Sequence, residues 1–189
     1  NQMINIDNEK MSKSLGNVIW AKDMIAKLGC NVYKWLMLSS HYRNPLNLTD
    51  EVVATVKKEV AKVDNVIKTV SLYLQVNHVA KGEVNKQIVD DMVSALEDDL
   101  NTSLALTKIL NQVKVLNQLF RQKDKDDQAI SEAYQTLLAM VNVIGFVYDP
   151  RQLSDDELEL YQSWNDAKAK KDFQTADKIR DELVDKGII

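Results

Sequence analysis

Thr49-Asp50-Glu51-Val52-Val53-Ala54-Thr55-Val56 opens the stretch that decides the fold. Thr49 carries the hydroxyl of a helix N-cap, and Asp50 and Glu51 put negative charge in the first turn, where the helix dipole favours it. From Val52 the apolar residues recur at Val56, Val60, Val63, Ile67, Val70 and Leu74, at steps of four, four, three, four, three and four. This spacing lays one apolar stripe along a long helix. Lys81-Gly82 is expected to close it.

Downstream the helical period returns repeatedly. A helix over about 84–97 carries Ile88, Met92 and Leu96 on one face. Asp98 and Asp99 suit the approach to a new helix, which Asn101 or Thr102 caps. Leu106, Ile109, Val113, Leu116 and Phe120 mark that helix, and Ile130, Tyr134, Leu137, Val141 and Ile144 the next, with Asp124 to Asp127 as a solvated connection. Asp149-Pro150 breaks the chain, Ser154 to Glu157 forms a capping box, and a helix follows to about Lys170. A last helix over 173–186 aligns Phe173, Ala176, Ile179 and Leu183 before Gly187, making a hairpin with its predecessor.

Upstream, Met3 to Ile6 alternate and end in the Asp7-Asn8 turn, predicting a short strand. A lone strand is unstable, so the chain is expected to be cut from something longer. Val18–Leu28 is expected to be helical with Gly29 as its stop, and a second helix is expected from Asn31 to Tyr42, ended by Asn44-Pro45. The fold class is mainly α, an antiparallel helical bundle. Its divisions are 1–20, 21–48, 49–150 and 151–189.

Composition agrees with this and narrows the chemistry. Five glycines and two prolines in 189 residues, with 45% hydrophobic residues, favour long helices. Cys30 stands alone, which excludes an internal disulfide or a cysteine-rich zinc site, and it is expected to be a small buried thiol. His41 and His78 fall in different segments, so no metal site is expected. A net charge of −4 argues against non-specific polynucleotide binding, though not against an RNA read at a few points. With no leader and no unbroken apolar run of membrane length, a cytoplasmic protein is expected.

Chemistry concentrates in Lys10-Met11-Ser12-Lys13-Ser14-Leu15-Gly16-Asn17. Two ammonium groups and two hydroxyls lie within five residues, beside a glycine that permits a tight turn. Lysine is a compact charge on a flexible stem, suited to closing over a polyphosphate, and Ser12 and Ser14 add donors. A bare pair of lysines at this spacing also suits a solvated turn.

The full string resembles the KMSKS loop of class I aminoacyl-tRNA synthetases. His41 to Asn47 (HYRNPLN) is similar to HYRSPLN of cysteinyl-tRNA synthetases, and Asp98 to Thr102 (DDLNT) to their DDFNT. Lys171-Asp172-Phe173 followed by Ala176 to Leu183 resembles their KDF…ADxIRDEL. These matches fall in the family's order and span essentially the whole chain, so it is identified with the carboxy-terminal portion of that family. Two positions depart from the pattern: Lys34, commonly arginine, and Trp20, often a hydroxyl residue able to cap the next helix.

The resemblance implies that the loop closes over ATP, with its Mg, while the carboxylate of cysteine attacks the α-phosphate and pyrophosphate leaves. Lys13 is then the main ATP contact, supported by Lys10, with Ser12 and Ser14 as further donors. It implies a DALR-type bundle along the inside of cysteine tRNA, and a monomer. The family's HIGH motif, nucleotide-binding sheet and zinc, which recognises cysteine, have no counterpart residues here. The chain is therefore expected to be a fragment without turnover.

His41 and Arg43 have two readings, RNA backbone contact or a structural role, and so does the cluster Lys168, Lys170 and Lys171, flanked by Asp166 and Asp172. Asp98, Asp99 and Asn101 are expected to cap helices. Two rival readings are a cysteine ligase acting on an amino sugar, which would not need the Lys171–Leu183 tail, and a helical interaction module with a vestigial loop.

Overall fold

The long stripe folds as one 27-residue helix, α3 (Asp50–Val76), and the other elements are arranged along it. A computed structural model describes residues 3–189. Among them, strands β1 (Ile4–Ile6), β2 (Glu9–Lys10) and β3 (Leu46–Leu48) and helices α1 (Ala21–Leu28) and α2 (Cys30–Leu38) surround the amino end of α3. Then come α4 (Lys86–Glu97), α5 (Thr102–Arg121), α6 (Asp127–Val143), α7 (Asp155–Ala169) and α8 (Phe173–Asp185).

The expected strand at the amino end has partners within the chain. β1 is central, antiparallel to β2 with Asn5 opposite Lys10, and parallel to β3 with Ile4 opposite Leu46. Asp7 and Asn8, at φ 48° and 70°, make the two-residue turn with left-handed residues that matches strand twist. β3 escapes a periodicity reading because it is three residues long, wedged between Pro45 and the Thr49 cap.

Thr49 caps α3 by accepting from Val52 N at 3.2 Å. Val56, Val60, Val63, Ile67 and Val70 are buried against α5 and α6, together with Ile109, Leu116, Ile130, Leu137 and Met140. α2 adds Trp35, stacked on Phe146 at 5.3 Å, whose indole N–H donates to Glu59 Oε2 at 2.8 Å. Lys34, where the resemblance favours arginine, donates through a single ammonium to the carbonyl of Gly145. Tyr73 donates to Asp127 Oδ1 at 2.6 Å; its hydroxyl is pushed up to about 12, first by burial and then by that carboxylate.

Three boundaries differ from expectation, each for a local reason. α1 begins at Ala21 rather than Val18, because Trp20 occupies the N-cap and supplies no side-chain bond to the first turn. α2 ends at Leu38 rather than Tyr42, where the chain bends into the His41 turn. α3 ends at Val76, with His78 in the left-handed region at φ 49°. Gly82 therefore caps nothing. It lets the backbone cross α6: its N–H donates to Ser131 Oγ at 2.7 Å, and a Cβ there would lie 2.8 Å from Glu132 Cα and closer still to that residue's amide nitrogen. Cys30 is exposed, not buried, because it opens α2 directly after Gly29.

α7 and α8 form the expected hairpin, with the Ser154–Glu157 capping box present and Ala167, Ala176 and Leu183 buried between them. Phe173 stays 67% exposed and does not join that face. The hairpin docks at the carboxyl end of α3, where Gln75 donates to Arg151 O at 3.1 Å and accepts from Leu153 N at 2.9 Å.

Replacing Gly82 with alanine should lower stability by about 1–3 kcal/mol, since the neighbouring atoms are backbone and cannot step aside. A urea unfolding midpoint measures this, and Gly16→Ala, which meets no atom within 4 Å but stands at φ 70°, gives the separate cost of a left-handed backbone.

Candidate functional site

The lysine loop is built on the β1–β2 hairpin and braces itself. Lys10 ends β2, Met11 N donates to Ile4 O at 3.0 Å, and Lys13–Leu15 form one turn of 3-10 helix. Ser12 caps that turn by accepting from Leu15 N at 3.3 Å, and its hydroxyl lies 3.1 Å from that of Ser14. Gly16, at φ 70°, closes the turn by donating to Lys13 O at 3.2 Å. Asn17 clamps the whole loop: its Oδ1 accepts from Ser12 N at 2.8 Å and its Nδ2 donates to Lys10 O at 3.2 Å.

Of the four candidate residues, Ser12, Lys13 and Ser14 thus sit together on one short turn, and Lys10 ends the strand that leads into it. Both lysines are exposed, and no ion pair joins either to another described residue. An amide ladder holds the hairpin to β3: Asn8 N donates to Asn47 Oδ1 at 3.0 Å, and Asn47 Nδ2 donates to Asn8 Oδ1 at 2.8 Å. Asn17 lay inside the string that singled out the loop. Its signal is an amide beside glycine, able to accept from one backbone group and donate to another.

His41 and Arg43 meet Asp99, across the turn between α4 and α5. Arg43 N donates to His41 Nδ1 at 3.3 Å, which leaves Nε2 to donate to Asp99 O at 3.0 Å. Tyr42 donates to Asp99 Oδ1 at 2.6 Å, and Arg43 Nη2 to the same oxygen at 3.0 Å. The Tyr42 hydroxyl, and after it Arg43, hold the Asp99 carboxyl below its ordinary range, while the same hydroxyl and Asp99 hold the Arg43 guanidinium above its own. Asn101 caps α5 as expected, accepting from Leu104 N at 3.1 Å, but Asp99 reaches across to α2's exit instead of capping.

Lys168, Lys170 and Lys171 lie far from the loop, at the α7–α8 connection. Lys168 Nζ stands 3.7 Å over the Trp164 ring, and Lys171 takes the left-handed conformation at φ 59°. Their acidic neighbours face their own helices. Asp172 is held low by the Thr175 side chain and, after it, by Thr175 N, which donates to it at 3.2 Å, and Asp166 accepts from Gln162 at 3.4 Å. Among the described residues no three His, Cys, Asp or Glu side chains gather as metal ligands, and no helix is long and apolar enough to cross a membrane. The zinc that the resemblance implies finds no ligand set in these residues.

Comparison with known proteins agrees with this layout. Residues 1–58 match the catalytic domain of tRNA synthetases class I (C), and residues 92–148 match the DALR domain. Along its whole length the chain is 31% identical to the cysteine–tRNA ligase of Mesoplasma florum and 34% identical to that of Streptococcus agalactiae. The ligase of Aliarcobacter butzleri is 33% identical over 97% of the chain. The chain spans about two fifths of the length of these relatives, 43%, 39% and 40% respectively. It corresponds to the carboxy-terminal portion of cysteinyl-tRNA synthetases, the end of a class I catalytic domain followed by a DALR domain.

Two outcomes follow from the geometry. Asn17→Ala removes both clamping bonds, so amide exchange over residues 10–17 should accelerate at least tenfold while exchange in α5 and α6 stays unchanged. Asp99, whose folded pKa is depressed, contributes stability that is present above its ordinary value of 3.8 and lost as pH falls through the lower folded value. The stability gap between the parent chain and Asp99→Asn should therefore be present above pH about 4 and close as pH falls below it, as denaturation at several pH values would record.

Proposed function

We propose that this chain, the counterpart of the carboxy-terminal portion of cysteinyl-tRNA synthetases, supplies the ATP-closing loop and the tRNA-facing helices of an enzyme that joins cysteine to its tRNA. One observation carries the reading: a self-braced turn with two free ammonium groups stands at one end of α3, and a lysine-bearing hairpin at the other. α3 has 27 residues, about 40 Å at 1.5 Å per residue, so the ends address sites far apart on one large ligand.

In this reading residues 1–20 finish the catalytic domain and 21–48 link it to the helices. Residues 49–150 form the DALR-type bundle, and 151–189 the anticodon-side hairpin. When the carboxylate of cysteine attacks the α-phosphorus of ATP, the bond to the departing oxygen breaks and negative charge collects on pyrophosphate. Lys13 and Lys10 stabilise that charge, and positioning of this kind is most of what phosphoryl chemistry asks of a protein. Each lysine enters the task without first breaking an ion pair. Ser12 and Ser14 share one hydrogen between their hydroxyls, which leaves a second hydrogen to donate to phosphate.

Lys168, Lys170 and Lys171 meet RNA phosphate on the hairpin. His41 and Arg43 add a contact nearer the loop, where the Arg43 side chain remains 66% exposed despite its pairing. The tRNA is that of cysteine, and ATP arrives with its Mg. The chain by itself lacks the residues that would bind the amino acid, so it does not turn over, and a cysteine-dependent exchange of pyrophosphate into ATP would refute that part.

The test is a salt-dependent titration with cysteine tRNA and with an anticodon-altered tRNA. Cysteine tRNA should bind more tightly, with affinity falling as salt rises. The double variant Lys170→Glu, Lys171→Glu should weaken both tRNAs and flatten the salt slope by about 1–2. Equal, salt-independent binding of both tRNAs would reject the reading.

A further inference from the structure

We infer that Asp99 is a positioning residue: through His41, Tyr42 and Arg43 it locks segment 41–48 to the helical bundle, and thereby sets the orientation of the lysine loop relative to the RNA-facing helices. Its functional consequence rests on the reading above, but the mechanical claim does not.

The link is short and continuous. Arg43 is three residues from Leu46, and Leu46 N donates to Met3 O at 2.8 Å as β3 enters its parallel pairing with β1. Asp7 N donates to Leu48 O at 3.2 Å, and the Asn8–Asn47 ladder completes the attachment. From there β2 runs straight into Lys10. On the bundle side, Thr102 Oγ1 donates to Leu38 O at 2.8 Å, so the exit of α2 is held at both of its edges, by Thr102 and by Asp99.

Two features separate this clamp from ordinary surface pairing. Three consecutive side chains converge on one residue although Arg43 and Asp99 are 66% and 47% exposed, and exposed ion pairs contribute little to global stability. Asp99 and Leu100 both hold left-handed conformations, at φ 51° and 53°, which side chains other than glycine adopt at a steric cost. The turn between α4 and α5 accepts that cost in two successive residues, and in doing so presents the carboxylate to Tyr42 and Arg43. An arrangement that adds little stability and is strained in its backbone is better explained by placement than by cohesion.

The experiment measures the placement directly. In a Cys30→Ser background, spin labels at Leu15→Cys and Val115→Cys, both exposed, report the separation of loop and bundle by pulsed dipolar spectroscopy. The parent should give one narrow distance distribution. Asp99→Ala should broaden it at least twofold, and Asp99→Glu, which keeps the carboxylate, should restore most of the narrowing. Arg43→Gln should broaden it by a smaller amount, since Tyr42 still reaches Asp99. Amide exchange in α5 and α6 should stay unchanged in every variant. An unchanged distribution in Asp99→Ala overturns the inference, and so does broadening that appears only together with lost protection in α5 and α6. Because neither nucleotide nor RNA is present, failure here leaves the tRNA-binding reading untouched, and a failed tRNA titration leaves this measurement standing.

Discussion

The apolar stripe of α3 is the constraint on which everything else depends. Burying Val56, Val60, Val63, Ile67 and Val70 requires partners along one long helix, and α2, α5 and α6 supply them. The two chemically interesting parts of the chain then attach to its ends rather than to each other. The sheet with the lysine loop packs at the amino end, through Leu48, Val53 and Met24, and the α7–α8 hairpin is held at the carboxyl end, where Gln75 bonds the Arg151 and Leu153 backbone. Packing energy along the helix thus becomes a fixed separation between two charged surfaces. Truncating Val63, which is fully buried, would remove packing and leave a cavity, and destabilisation of about 2–4 kcal/mol is usual for such core deletions.

The ends themselves are held by polar geometry, and its strength is local. Asn17 and Ser12 shape the loop, Asn47 ties it to β3, and Gln75 joins the hairpin to α3. These contacts involve exposed or part-buried groups, so each adds modestly to stability. What they fix is direction: which way two ammonium groups point, and where a strand leaves the bundle. A bundle with the same core and different amides would fold and aim its lysines elsewhere.

Legibility in the sequence followed the same division. Helices with sustained apolar spacing were read correctly as elements, and α8 almost to its ends, because the period that buries a face is written in the residues. Boundaries failed where a single residue's geometry overruled the period. His78 turned α3 aside before the expected stop, and Gly82 proved to be a crossing point rather than a cap. β3 was invisible because three residues carry no period, and the partner of β1 lies about forty positions downstream. The lysine loop was recognisable as a string. The clamp on Asp99 was not, since nothing local in Asp98-Asp99-Leu100 distinguishes a helix-capping carboxylate from one that reaches another segment.

We propose that α3 holds apart a nucleotide-facing end and an RNA-facing end. This is tested most directly by tethered cleavage on cysteine tRNA, with an iron chelate placed at Leu15→Cys or at Lys171→Cys in a Cys30→Ser background. The account predicts two distinct cleaved tracts, separated on the folded tRNA by about 40 Å, the length of α3. Cleavage of the same tract from both positions, or no cleavage above free chelate from either, would contradict it.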